Sequence, residues 1–535
     1  MGSKSCSENE WRSVKPEGGM DSADNARVAV YQAGEATYPK QPPFHPDRSY
    51  PECQFPLLGT EPNIAYDAVR SCLHVAGLDS ENFGTKDWNP LGGLIHPGEL
   101  VLLKPNLVKE SHPRDPEGWQ YILTHGSVIR AIADYVWKAL EGRGKIILAD
   151  APHTDSSYKG IVRVLGLDKV RDFYRSEGLE IDLLDLRREE WTTQDGVIVS
   201  RRRCAEDPRG YVAFDLGGSS EFVGHGGEGR YVGADYDTKE LNRHHSSGRH
   251  EYLIAGSVLD CDVIFSLPKL KTHKKAGITV SLKNLVGITG DKNWLPHHTE
   301  GDPSNGGDEH PSPNLKHRTE RALMPFFYRL SRSLPVVGPW LHLQGRQVGR
   351  HIFGDTDKIV RSGNWWGNDT VWRMCLDLNK IILYGNRDGT LRPGAPENRK
   401  RHYVLVDGII AGGGRGPMNP DPVPAGVVLF GVHPASVDAA CAYLMGFDPE
   451  RVPIVRQAFR CRHYPLAEWD WRDVRLVSNR QQWNGPLCDI KDDATFHFEA
   501  HFGWTGHIER DKALGGTTQP SSGQVPVASN SALTR

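Results

Sequence analysis

Four apolar runs in this chain give way to charged or hydrogen-bonding residues at the point where a strand would end. VLL leads to Lys104, Pro105 and Asn106; IILA to Asp150; VIFSL through Pro268 to Lys269, Lys271, Thr272 and His273; and YVLV to Asp407. Ligands of open α/β sheets bind outside the carboxyl ends of the strands, so these groups are expected to share one crevice. Lys269 and Lys271 stand two apart in an extended segment and are expected to point the same way. With Lys104 they suit a phosphate or carboxylate. His273, Asp150 and Asp407 are then the candidate catalytic groups. Asn106, Thr124, Lys283, Asn284 and Gly414 complete the candidate substrate-binding set. Thr124 heads a helix whose free N–H groups would attract an anion, Lys283 and Asn284 lie on a short apolar helix where a buried lysine needs a partner, and Gly412 to Pro417 (GGGRGP) can take positive φ and bring backbone N–H groups close to a ligand. Each has a plainer reading: chains surface at strand ends, Thr124 caps its helix, Lys283 snorkels to solvent, and the glycines make a tight connection.

A second concentration follows Asp291, in DKNWLPHHTEGDPSNGGDEHP. Imidazole and carboxylate suit Zn, Mn or Fe(II), and His297, His298, Asp302 and Asp308 are the candidate metal ligands. The spacing matches no zincin or metzincin pattern, so the competing readings are a solvated loop, or histidines that exchange protons with a substrate. Trp294, Leu295 and Pro296 would pin the segment to the body. Arg201, Arg202 and Arg203 read as a solvated turn. No P-loop and no G-x-G-x-x-G opening a helix occurs, which leaves ATP and NAD without motif support. The nine cysteines are scattered and form no C-x-x-C pair, against a disulfide framework, a zinc ribbon or an iron-sulfur cluster.

The elements that must position these groups alternate as β and α. RVAVY from Arg27, ELVLLKPNLV, KIILADAP, Glu180 to Leu186, CDVIFSLPK, YVLVDG and AGVVLFG read as strands. Asn63 to Leu78, the segment from Thr124 with Val128, Ile132, Val136 and Leu140 at steps of four, Gly160 to Glu177, Ser281 to Ile288, Asp369 to Ile382 and Ala435 to Met445 read as helices. The rhythm predicts an α/β fold with a mostly parallel sheet flanked by helices and carrying long loop insertions, near 191–249 and 291–350. The expected organisation is a disordered tail over 1–25, an α/β domain over 26–465 as one unit or two halves, a C-terminal extension over 466–514 and a second disordered tail over 515–535.

The chain has 535 residues, with Lys+Arg 64 against Asp+Glu 67 and a net charge of -3, so no global field grips nucleic acid or an anionic membrane. The 14 tryptophans are dispersed and not interleaved with basic runs, which weakens polysaccharide or single-strand binding. No apolar run is long enough to span a bilayer and the N-terminus lacks an export h-region, so the expected location is cytoplasmic, with no membrane partner.

Lys104-Pro105-Asn106, Thr124, LPKLKTH from Leu267, SLKNLVG from Ser281, Asp407-Gly408, and Asp438 within HPASVDAACAYLMGFDP together resemble the DUF362 family, from Arg27 to Phe459. The resemblance implies one catalytic-looking α/β unit without naming a substrate. Some relatives carry a four-cysteine iron-sulfur segment; this chain has none, and no such cluster is expected. The resemblance also points to Asn368, Asp369 and Arg373 as a polar patch, where Asn368 is placed to cap the following helix. The expected function is an enzyme holding a small anionic metabolite, with or without a divalent metal, its reaction, substrate and oligomeric state open. The alternative is a redox accessory or non-catalytic ligand-binding protein.

Overall fold

The structure is a computed structural model that describes residues 25–194, 197–233, 237–313, 359–461 and 463–510. The two expected tails (residue 25 apart), and the expected 291–350 insertion beyond residue 313, lie outside the described residues.

Uniformly apolar runs make strands that must be covered on both faces. Here they form one twelve-stranded sheet: β1 Arg27–Gln32, β2 Leu100–Pro105, β3 Lys145–Asp150, β4 Ile181–Asp185, β5 Val263–Leu267, β6 Lys269–His273, β7 Gly277–Thr279, β8 Arg401–Gly413, β9 Asp421–Val423, β10 Val427–Gly431, β11 Arg475–Ser478 and β12 Gly485–Pro486. The order is β12-β11-β1-β10-β8-β5-β2-β3-β4, with β6 beside β7 and β8, and β9 beside β8. Neighbours from β8 through β5, β2 and β3 to β4 are parallel, so their carboxyl ends share one edge. β10 runs antiparallel to both β1 and β8, which makes the sheet mixed though mostly parallel.

Alternate residues of these strands feed two cores. Val101, Leu103, Ile146, Leu148, Val263 and Phe265 pack with α1 Ile64–Val75, α2 Gly126–Leu140, α3 Tyr158–Val164 and α4 Leu167–Ser176. Leu102, Ile147, Ala149 and Ile264 pack with α5 Ser281–Asn284, α6 Val371–Tyr384 and α7 Pro434–Leu444. The fold is therefore α/β, helices covering both faces of the sheet. Val128, Ile132, Val136 and Leu140 are all buried on α2, as their spacing requires.

Three local expectations are corrected. The helix expected from Gly160 to Glu177 breaks at Gly166, whose φ of 62° suits glycine and whose missing Cβ leaves room for Pro42. His125, rather than Thr124, caps α2, accepting from the Ser127 N–H. The 191–249 stretch is more than loop. Strand Glu189–Gln194 pairs with Val197–Arg203, Tyr211–Asp215 with Glu251–Ala255, and Tyr231–Gly233 with Pro296–Thr299. Arg201, Arg202 and Arg203 thus end an exposed strand instead of forming a turn, and Arg202 pairs with Glu190 at 2.9 Å. Residues after 465 add β11 beside β1 and bury Trp483 and Trp504 in the core.

Candidate functional site

At the carboxyl edge of the sheet two lysines are matched by carboxylates. Lys104 Nζ lies 2.8 Å from Asp150 Oδ1 and also donates to the Pro105 carbonyl at 2.8 Å and to Asn284 Oδ1 at 3.3 Å. Asp150 Oδ2 accepts from the Leu107 N–H at 2.6 Å. Asn106 Nδ2 donates to Asn284 Oδ1, and Asn284 Nδ2 to the Lys104 carbonyl, so both asparagines brace the pair. Thr124 Oγ1 accepts from the Asn106 N–H and donates to the Leu267 carbonyl, tying β2 to β5. The other pair joins Lys269 Nζ to Asp407 Oδ2 at 3.0 Å. Tyr38 completes it, accepting from Lys269 at 2.7 Å and donating to Asp407 Oδ1 at 2.5 Å, while its ring stacks on His125 at 4.0 Å and the His125 N–H reaches Asp407 Oδ2. Burial above all, then the Asp407 charge, holds the Tyr38 phenol well above its usual range.

These pairs lie on opposite faces of the sheet, which corrects the expected single crevice. Lys104 keeps the parity of Leu102 and meets α5; Lys269 keeps the parity of Leu267 and meets Tyr38 and the start of α2. The positive charges of Lys104 and Lys269, and the negative charges of Asp150 and Asp407, are thus met inside the protein. Gly414 does take positive φ, at 65°, but its N–H donates to the Glu499 carbonyl and its carbonyl accepts from Thr272 Oγ1. Sequence reasoning missed Tyr38, which sits outside the strands, and gave no role to Gly287 at the end of SLKNLVG, where a Cβ would fall 1.8 Å from Asp150 Oδ1.

The remaining expected groups form a cluster with no such neutralisation. Lys271 is fully buried and donates to the Ile122 carbonyl at 2.5 Å. Lys283, 8% exposed on α5, has no hydrogen-bond or ion-pair partner among the described residues. Burial pushes both amines down, most strongly at Lys271, where the charges of Lys269 and Lys283 add to it. His273 Nδ1 accepts from the Lys275 and Ala276 N–H groups, at 3.0 and 3.1 Å, so its proton sits on Nε2. His297 is the reverse: Nδ1 donates to the Leu295 carbonyl at 2.9 Å, leaving a lone pair on Nε2. Both imidazoles are held well below their usual range, by burial first and by the Lys283 charge next. Lys275, pushed down to about 7 by burial and Lys274, bonds His298 Nδ1 at 3.1 Å.

Local backbone geometry aims these side chains. Lys269 pairs with Asp407 but Lys271 with Gly412, and Pro296 pairs with Gly233 but His298 with Val232. Lys271 and His297 therefore follow register irregularities, which re-aim side chains beside binding sites. β6 turns back through Gly277, φ 81°, into β7 and then α5. Asp438 of α7 accepts from the Ser281 and Leu282 N–H groups at 2.8 and 3.1 Å, and Asn379 of α6 donates to the Leu282 carbonyl. Burial raises the Asp438 carboxyl to about 8.

The four expected metal ligands are not brought together. Asp302 caps its own short turn through Ser304, and Asp308 accepts from the Thr299 N–H, the Asp369 N–H and Thr370 Oγ1, at the start of α6. Among the described residues no three His, Cys, Asp or Glu side chains converge as a metal set. Asn368 Oδ1 accepts from the Thr370 and Val371 N–H groups at 3.2 and 2.9 Å, bracing the turn into α6, but the N-cap position expected of it is held by Thr370; Asp369 pairs with Arg373.

Fold and site together define an α/β protein with a covered mixed sheet and a lysine-histidine cluster beside its carboxyl edge. Residues 211–443, which hold β5 to β8, α5, α6 and every member of that cluster, match the family described as a domain of unknown function, DUF362. A thylakoid-associated protein of Synechocystis sp. is 24% identical over 264 residues, covering 49% of this chain and 61% of the relative, less than two thirds of its length. A crystal structure of a Thermotoga maritima protein aligns with a TM-score of 0.29 at 12% identity, covering 65% of this chain and 54% of that one. Among the described residues no helix is long and apolar enough to cross a membrane.

Proposed function

We propose that the chain binds a small anionic metabolite, through phosphate or carboxylate, at Lys271, His273, Lys283 and His297. The observation that carries this is Lys283, a lysine 8% exposed whose amine has no protein partner among the described residues, beside a second, fully buried lysine that reaches only a carbonyl among them. Burying an unpaired cation costs several kcal/mol. An anion between the two amines would offset that cost, and the His273 Nε2–H adds a neutral donor. A thermal-shift series with sulfate, phosphate and a dicarboxylate tests it. An anion present at about 100 times its Kd stabilises by about 2.7 kcal/mol, and Lys283→Met should lose that response. Stabilisation by Zn²⁺ or Mn²⁺ alone, with none by any anion, would overturn the reading in favour of a metal. A cytoplasmic location is carried as part of the proposal. The Synechocystis relative is described as thylakoid-associated, and fractionation decides, since a membrane-attached chain pellets with vesicles.

A further inference from the structure

We infer that Lys283 is a nucleophilic amine that forms an imine with a carbonyl group carried by the bound anion, so that the substrate class is an anionic aldehyde or ketone. The inference rests on the anion-site reading and adds a reaction to it. The two site lysines differ in what their nitrogens do. Lys271 Nζ is held as a donor by the Ile122 carbonyl, whereas Lys283 Nζ makes no hydrogen bond among the described residues, so of the two only Lys283 has its lone pair and all its N–H bonds uncommitted there. A lysine becomes nucleophilic at neutral pH when it is desolvated or set next to other cations. Lys283 meets the first condition: it is buried on α5, and burial is what lowers its amine. In its neutral form, which burial favours, Lys283 adds a lone pair to the charge that its protonated form and Lys271 offer the anion. Its position is fixed, because Asp438 and Asn379 clamp both sides of the single turn that bears it.

The chemistry balances without any co-reactant. The Nζ lone pair attacks the carbonyl carbon, a C–N bond forms, and the π pair moves to oxygen. The ammonium proton passes to a base, for which His297 Nε2 is the lone pair at hand, and the oxygen is protonated to give a carbinolamine. Departure of that hydroxyl with one returned proton releases water and leaves C=N. Neither oxidant nor reductant is consumed. The His273 Nε2–H is available as a donor to substrate oxygen throughout.

The test incubates the full chain with glyoxylate, pyruvate or glyceraldehyde 3-phosphate, reduces with borohydride and maps the modified peptide by mass spectrometry. In parallel, melting is followed with sulfate and lactate, anions that lack an aldehyde or ketone. The expected result is one reduced adduct on Lys283, favoured about tenfold over any exposed lysine, the ratio that about 1.4 kcal/mol of anion binding supplies, and suppressed by excess sulfate. Lys283→Arg should lose it. Stabilisation by sulfate and lactate with no adduct on Lys283 from any probe would overturn the imine and leave the anion site standing. Neither stabilisation nor adduct would overturn both, and labelling spread evenly over surface lysines would overturn the imine. The wild-type map decides the question even where a variant fails to fold.

Discussion

Gly287→Ala places the sharpest demand on the buried Lys104–Asp150 pair. Gly287 does not have positive φ, so alanine meets no backbone strain; the obstacle is the new methyl, 1.8 Å from Asp150 Oδ1 and 2.8 Å from Lys104 Nζ. Neither partner can retreat cheaply. The Lys104 side chain is 0% exposed and that of Asp150 4%, and Asp150 also holds the Leu107 N–H. Relief requires the carboxylate to leave the ammonium, and breaking a buried pair costs about 3–5 kcal/mol, a large part of a stability of about 5–15 kcal/mol. Urea denaturation measures this as a fall in midpoint. Gly93→Ala, where a Cβ would meet nothing within 4 Å, is the control. Asp150→Ala added to Gly287→Ala should cost much less than Asp150→Ala alone, because the pair is already broken and the methyl then has room. A Gly287→Ala midpoint within about 0.5 kcal/mol of wild type, the usual effect of a neutral surface change, would refute the reasoning.

Asp438 predicts a pH dependence. Its folded carboxyl, raised to about 8, prefers the proton more than the unfolded one does, so its contribution is complete in acid and is lost as pH climbs from about 4 through 8. Tm measured from pH 5 to 8 should fall less in Asp438→Asn than in wild type, and parallel curves would contradict this. Anion binding should take up protons, because Lys271 and Lys283 are held down by burial and Lys275 lies at about 7. Sulfate, which does not titrate here, should therefore bind more tightly at pH 6 than at pH 8, with a calorimetric heat that depends on the buffer; equal heats in all buffers would count against it. Tyr38→Phe removes the hydroxyl that joins Lys269 to Asp407, and should lower stability by about 1–3 kcal/mol, the cost of leaving buried polar groups unsatisfied. An unchanged denaturation midpoint would show that the hydroxyl is dispensable.

Much of the frame was legible. Helix α2 follows from Val128, Ile132, Val136 and Leu140, and the strands from their apolar runs, because burial on two faces leaves a run without polar alternation. That same uniformity hid which face each strand-end lysine takes. With apolar residues at both parities, nothing in VLLK or LPK says that Lys104 follows Leu102 to one core while Lys269 follows Leu267 to the other. Tyr38 carried no signal, since a loop residue reaches Asp407 only through the tertiary fold. The strands at 189–203 were signalled by the Asp195-Gly196 dipeptide between them, a hairpin pattern outweighed by the polar composition around it. Lys271, His273, Lys283 and His297 were each singled out by type, but their convergence depends on two register irregularities that no periodicity encodes.

The most direct measurement of the central claim is a crystal structure of the full chain grown with saturating sulfate or phosphate. An anion within hydrogen-bond distance of Lys271 Nζ, Lys283 Nζ and His273 Nε2 is the predicted result. An empty cluster, with Lys283 bonded to a protein group and the anion elsewhere, would contradict it.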